Sequence, residues 1–154
     1  MDINPNHGTY VKKELIYSRA YEGLPSVGKE MLVLFLLRQP VHQENNKKWV
    51  VTKDADISFP YTVAEKDFGI SQPRFTRGLD ALMSNGFIRL EYQGGGIKGD
   101  CSIYRISQMW RHYGMDKFRV LPRPKKEAMV GFLKKGYEKK TKQNSGEKIR
   151  NIRD

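Results

Sequence analysis

The sequence predicts an α+β fold with a three-helix core, a β-hairpin after it and a basic helical extension at the end. Residues 62–86 contain a capped helix start, a glycine and a second helical pattern. Residues 88–92 and 101–106 alternate as strands on either side of a glycine-rich turn. Residues 125–142 combine lysines with apolar residues at helical spacing. These three observations define the expected order of elements.

The charge of the chain is high and unevenly distributed. With 154 residues, 38% of them hydrophobic, the chain suits one domain with a tail. Its net charge of +11 favours nucleic acid, an anionic membrane surface or an acidic protein as partner. Residues 123–154 hold eleven Lys or Arg against four Asp or Glu, whereas residues 1–122 hold seventeen against thirteen. The predicted domain is therefore only mildly basic.

The cellular location is predicted from three features. Cys101 is the only cysteine, which excludes an intramolecular disulfide and fits a reducing, cytoplasmic location. The first residues contain neither a basic region nor a long apolar region, so no signal peptide is expected. The longest apolar run, residues 31–37, is far shorter than the roughly 20 residues that a bilayer span needs. We expect a buried helix there and no membrane-spanning segment.

The N-terminal part predicts two helices. Residues 1–9 are expected to be a disordered lead, and residues 10–21 a short helix that a Gly-Leu-Pro break ends. Ser26 should cap a second helix that continues to Arg38. Because that helix is apolar on nearly every side, it should be the most buried element. The expected buried positions of the first helix are Leu15, Ile16 and Ala20.

A loop and two short strands are predicted next. Residues 41–48 are polar and should form an exposed loop. Trp49–Val51 predict a short strand. Residues 57–61 alternate like a strand, which Pro60 confines to a sheet edge or a strand end.

Two helices separated by a short turn follow. Thr62 and Glu65 match a capping box, in which the hydroxyl and the carboxylate satisfy each other's backbone donors. The box opens a short helix that Gly69 ends. Ser71 is the expected N-cap of a longer helix over residues 71–85. A short helix, a glycine-containing turn and a second helix form the helix-turn-helix pattern.

The helix over residues 71–85 has one apolar face. Pro73 falls in its first turn, where a missing N–H costs little, and Asn85-Gly86 suit a left-handed end. Gly78 lies at the edge of the apolar face and should permit a close approach to the preceding helix. The apolar face consists of Phe75, Leu79, Leu82 and Met83.

The opposite face of this helix carries Arg74, Arg77, Asp80 and Ser84. Two arginines near the N-terminus of an exposed helix face suit a groove and its phosphates. The simpler alternative is a surface helix with solvated charges. Asp80 is expected to pair with Arg77 or Arg74, which would weaken their contact with a base. Arg77 projects directly outward and is the strongest single candidate.

The order of these elements resembles that of a winged-helix domain over residues 10–114. The lead-in from Tyr10 to the Ser26 helix resembles phage- and plasmid-type replication-initiator winged helices. The Phe87-Ile88 pair, the Gly-Gly-Gly-x-x-Gly-Asp hairpin and Trp110-Arg111-x-Tyr113-Gly114 are similar to small prokaryotic winged-helix proteins. In such families residues 71–85 would be the recognition helix and residues 93–100 the wing.

The resemblance implies a set of DNA-binding residues. Arginine suits guanine O6 and N7, and glutamine suits adenine N6 and N7. Ser71 and the free N–H groups of the first turn suit a phosphate. For Gln72, a contact at the edge of the core stays an alternative. The candidate residues are Ser71, Gln72, Arg74, Thr76 and Arg77 on the helix and Lys98 at the hairpin tip.

Other sites find little support in the sequence. Lys98 suits a minor-groove phosphate, with a solvated lysine as the alternative. Residues 94–99 match G-x-G-x-x-G, but a strand follows instead of the helix that a dinucleotide site needs. The three histidines have no ligand spacing with Cys101. We predict no metal site, no cofactor and no catalytic residues, and therefore no enzyme.

The C-terminal part is predicted in three segments. Residues 115–124 should be a linker, residues 125–142 a basic amphipathic helix, and residues 143–154 a disordered tail. Three roles stay open for the amphipathic helix. It packs on the domain or on another copy, it adds phosphate contacts, or it lies on a membrane surface.

The expected function is binding of double-stranded DNA. The protein would be a transcriptional regulator or a phage- or plasmid-type replication protein of prokaryotic origin. The alternatives are a winged-helix protein–protein interaction module and RNA binding through the same surface. A homodimer would suit DNA binding because one recognition helix reads few base pairs, but no heptad pattern specifies one.

Overall fold

A computed structural model describes residues 9, 11–43, 49–52, 54–94 and 100–124. The chain divides into two compact units, Met1–Arg123 and Pro124–Asp154, and the elements described belong to the first. The fold is mixed α+β, as predicted, and its strands form two small antiparallel sheets. The helices are α1 (Lys13–Ile16), α2 (Arg19–Glu22), α3 (Ser26–Leu37), α4 (Tyr61–Phe68) and α5 (Gln72–Ser84), with a 3-10 turn at Met109–His112. The strands are β1 (Val41–Gln43), β2 (Trp49–Val51), β3 (Ile57–Ser58), β4 (Ile88–Tyr92) and β5 (Ile103–Ile106).

The first predicted helix is two separate turns, α1 and α2. Ser18 divides them, since its hydroxyl donates to the Leu15 carbonyl oxygen at 2.7 Å and accepts from the Tyr21 amide at 3.1 Å. A serine that satisfies these backbone groups starts a new helix instead of continuing the old one. Leu15 and Ala20 are buried as predicted, whereas Ile16 is 42% exposed.

Helix α3 is the most buried helix among the described residues, as its composition predicts. Met31, Leu32 and Phe35 are at most 1% exposed, and the helix packs against α5 and, through Phe35, against Tyr104 of β5. The helix begins at Ser26 itself with Pro25 as its N-cap, so the predicted Ser26 cap is wrong. Proline suits this position because its fixed φ is compatible with a helix start.

The two sheets are short. In the first, β1 pairs with β2, so residues 41–43 of the predicted loop are a strand. In the second, the order is β3-β5-β4, which places β3 at an edge. Strand β3 stops at Ser58, before Pro60, as the proline predicts, and Tyr61 already belongs to α4. Strand β4 has the predicted bounds, while β5 begins two residues later than predicted.

Helices α4 and α5 follow each other as predicted, but α4 begins at a different residue from the one expected. Pro60 is the N-cap of α4, so Thr62 lies inside the first turn and the predicted capping box does not form. The Glu65 carboxylate instead accepts a hydrogen bond from the Tyr61 hydroxyl, which raises the pKa of Tyr61. Gly69 ends α4 with φ of +64°, a conformation that glycine adopts without strain.

Close contacts fix α5 against the rest of the core. A Cβ at Gly78 would lie 2.2 Å from the Met31 sulfur, so the close approach is to α3 and not to α4 as predicted. At the other end, the buried Asn85 side chain donates to the Ala20 carbonyl oxygen at 2.7 Å. The orientation of α5 is therefore set by α3 along its length and by α2 at its end.

Candidate functional site

The two faces of α5 differ as the sequence predicts. Phe75, Leu79, Leu82 and Met83 are all at most 7% exposed. The aromatic rings of Phe59 and Phe75 meet edge to face at 5.4 Å, which ties the start of α5 to the end of β3. The residues exposed on the other side are Pro73, Arg74, Arg77, Asp80 and Ser84.

The N-terminus of α5 lacks a side-chain cap. Ser71 occupies the N-cap position in extended conformation, but its hydroxyl makes no capping hydrogen bond. Pro73 has no N–H, so the Arg74 amide is the first-turn donor that a capping serine would usually engage. Ser71 and Gln72 are both exposed. Thr76 is half-buried. This end of the helix can therefore donate a backbone N–H to an outside acceptor.

Arg74 lies at the α3 side of the exposed face. Its Nη2 is 3.4 Å from Oε2 of Glu30 on α3, and both side chains are about half exposed. An exposed pair of this length is worth about 0–1 kcal/mol because water and salt screen it. Arg74 can therefore exchange Glu30 for a stronger anionic partner at small cost.

Asp80 lies at the opposite margin and pairs with Arg123. Both carboxylate oxygens are within 3.2 Å of the Arg123 Nη2, at 3.0 and 3.2 Å. The predicted pairing of Asp80 with Arg77 or Arg74 is therefore wrong. The partner is 43 residues away in sequence, which no local spacing rule detects. Asp80 is neutralised by this contact, and it is not the partner of either arginine of the helix.

Arg77 lies between these two margins. It is exposed, and within the described part of the chain it has no hydrogen bond or ion pair. At 100° per residue its side chain projects away from the apolar face of the helix. Arg77 is thus the uncompensated charge at the centre of the exposed face of α5.

The described part of the hairpin β4–β5 carries paired charges. Arg89 pairs with Glu91 and Asp54, and the Arg105 Nε is 2.6 Å from Asp56 Oδ1. Residues 95–99, including Lys98, lie outside the described residues, so the predicted role of Lys98 is not examined by the structure. The sequence did not reveal this charge network because its members come from three separate segments.

A cleft of about 580 Å³ opens elsewhere on the domain. Leu32, Leu36, Phe87 and Trp110 contribute to its largely apolar lining, and no predicted site residue lines it. Among the described residues there is no group of three side chains that suits a metal ion. None of the helices described is long and apolar enough to cross a bilayer.

Comparisons with protein-family models, with curated proteins and with solved structures gave no match. The resemblance seen in the sequence therefore stays a prediction. A function has to be argued from the geometry and charge of the surfaces, and the exposed face of α5 combines the largest number of predicted site residues with an unpaired arginine.

Proposed function

We propose that the protein binds double-stranded DNA by placing α5 in the major groove, with the β4–β5 hairpin as the wing of a winged-helix domain. The observation that supports this most is Arg77, a cation without a partner among the described residues, at the centre of an exposed helix face. The helix is anchored by its buried side, so the exposed side can enter a groove as a rigid body. The major groove of B-DNA, about 12 Å wide, admits an α-helix.

The side chains of α5 take different roles in this proposal. Arg77 contacts a base edge, for which guanine O6 and N7 are the matching acceptors. Arg74 leaves Glu30 for a phosphate or a neighbouring base. Gln72 reaches an adenine, while Ser71 and the uncapped Arg74 amide bind a phosphate. Thr76 and Lys98 complete the predicted set, with Lys98 on the backbone beside the wing.

The test is duplex binding at two salt concentrations, with a site first selected from a random duplex pool. Arg77→Ala should weaken binding to the selected site by about 1–3 kcal/mol and reduce the preference for it over random duplex. Lys13→Ala is the matched control, because Lys13 is an exposed cation on α1. It should change binding only slightly. Absence of salt-dependent duplex binding by the unmodified chain would overturn the proposal.

One observation favours a second candidate, docking of a partner protein on the same face. Both Arg74 and Asp80 are paired, so the described part of this face carries the surplus charge of one arginine only. That is little charge for a DNA interface, whose affinity depends on phosphate contacts. If the face docks a protein, duplex binding will be weak and equal for the unmodified chain and for Arg77→Ala.

A further inference from the structure

Described residues of the first unit, none of them on α5, line the cleft of about 580 Å³. Its floor belongs to the hydrophobic core, since Leu36 of α3 is 9% exposed, Phe87 1% and Trp110 5%. The rings of Phe87 and Trp110 are stacked, with their centroids 6.0 Å apart. Because packed core residues keep their positions, this part of the cleft is formed before any ligand arrives.

The cleft is also lined by aliphatic side chains that the protein covers only in part. Val11 before α1, Val50 and Val51 of β2 and Ile106 of β5 are half-buried. An apolar molecule that covers them removes apolar surface from water, which favours binding. The volume falls in the range of about 300–1,000 Å³ that is typical of small-molecule sites. The cleft therefore suits a ligand with an aliphatic body.

The cation on the lining, Lys12, is weakly held. Its Nζ is 3.9 Å from Glu14 Oε1, and the same carboxylate oxygen has a closer partner in the Arg111 Nη2. The Lys12 side chain is 59% exposed. The carboxylate on the lining, Asp54, already contacts Arg89 at 3.4 Å. Lys12 can therefore take an anionic group of a ligand, while Asp54 keeps its own partner.

The uncharged polar side chains on the lining offer donors more than acceptors. The Gln108 Oε1 accepts a hydrogen bond from the Arg111 Nε at 3.0 Å, which leaves the Gln108 amide hydrogens for another acceptor. The Ser107 hydroxyl accepts from the Met109 amide at 3.2 Å and retains its own hydrogen. Gln39 is half-buried, and among the described residues its side chain has no hydrogen bond. A ligand head that accepts hydrogen bonds matches these groups.

We propose that the cleft binds an aliphatic monocarboxylate of medium chain length, with its chain against Leu36, Val50 and Val51 and its carboxylate on Lys12. The proposal does not depend on DNA binding by α5. A phosphate ester suits the cleft less well, because Lys12 is the only cation among the described lining residues and Asp54 repels further negative charge. A carboxylate needs one cation and a few N–H donors, and the cleft has both.

The test is a calorimetric titration of the full chain with octanoate and with 1-octanol, which has the same chain length and no charge. Octanoate should bind saturably at one site. Lys12→Gln should weaken octanoate binding by about two- to five-fold, the effect of one exposed ion pair, and leave 1-octanol binding unchanged. Lys13→Gln is the matched control, because Lys13 is a neighbouring exposed cation that does not line the cleft. It should leave the binding of both ligands unchanged.

A second variant and a spectroscopic measurement locate the site. Val51→Trp should fill part of the cleft and weaken the binding of both ligands by about tenfold or more. Unfolding curves verify that the variants are folded. Nuclear Overhauser effects from the octanoate chain to the methyl groups of Leu36 and Val51 test the same site without a substitution. Such effects only to exposed apolar side chains, Ile16 and Val33 among them, would overturn the proposal.

Three further outcomes would also overturn it. The first is the absence of saturable octanoate binding. The second is equal weakening of octanoate and 1-octanol binding by Lys12→Gln, because the carboxylate would then not lie on Lys12. The third is a concentration-dependent dimer that Val51→Trp disperses, because the cleft would then be covered by a second copy of the chain.

Discussion

The two faces of α5 are held by interactions of very different strength. On the inner face, Leu79, Leu82 and Met83 are nearly inaccessible to water, and Gly78 admits the Met31 side chain. On the outer face, the contacts of the described side chains are two partly exposed ion pairs, Arg74–Glu30 and Asp80–Arg123. Truncating a buried side chain costs several kcal/mol, whereas an exposed pair contributes about 0–1 kcal/mol. Stability and binding should therefore respond to different substitutions on one helix.

The largest effect is expected on the inner face. Leu82 is fully buried, and Leu82→Ala should lower the free energy of unfolding by about 2–5 kcal/mol, because it removes buried methyl groups and leaves a cavity. Urea denaturation measures this. Ser84→Ala, on the exposed side two residues later, is the control and should change stability by at most about 0.5 kcal/mol. Equal losses of unfolding free energy in Leu82→Ala and Ser84→Ala would contradict the view that the inner face of α5 holds the helix in place.

The next largest effect on stability is expected at the C-terminal end of α5. Asn85→Ala removes the hydrogen bond to the buried Ala20 carbonyl oxygen and leaves that acceptor unsatisfied. A loss of about 1–3 kcal/mol in unfolding free energy is expected. Asn85→Asp retains an oxygen but not the amide donor, so it should not restore stability. A stable Asn85→Ala protein would show that α2 does not help to fix α5.

On the outer face of α5, a substitution should change DNA binding and leave stability nearly unchanged. Arg77→Ala should change the free energy of unfolding by no more than about 0.5 kcal/mol, because Arg77 has no partner in the described part of the chain. The loss in DNA affinity predicted above would then arise without a loss of stability. Measuring both on the same preparation tests this. A large stability loss would mean that Arg77 contributes to the fold.

The same contrast explains which features could be predicted from the sequence. Helical periodicity specified α5, its buried face and its glycine-marked end because those features depend on neighbours within four residues. The start of α4 was predicted two residues late because Pro60 holds the cap position that Thr62 was expected to hold. The Asp80–Arg123 pair and the Gly78–Met31 contact join distant segments. Local spacing contains no information about them, so the charge of the exposed face was only partly predictable.

The smallest predicted effect concerns the ionisation of Tyr104 and its influence on stability. Tyr104 is 3% exposed in the core and lies near the Asp80–Arg123 pair. Burial raises the pKa of its hydroxyl, against the opposing effects of Ser102 and Arg123. The folded protein therefore keeps this proton at a pH where the unfolded chain has begun to lose it. Stability from this group is complete below the ordinary tyrosine pKa of about 10 and is lost as pH rises through the higher folded value.

Denaturant unfolding between pH 8 and pH 11 should thus show a decline in stability that is shallower in Tyr104→Phe. The difference between the two curves isolates Tyr104 from the other titrating groups. Because Arg123 stabilises the phenolate form, Arg123→Gln should raise the folded pKa of Tyr104 further and steepen the decline above pH 10. An identical pH profile for the unmodified chain and Arg123→Gln would show that the guanidinium does not act on Tyr104 in solution.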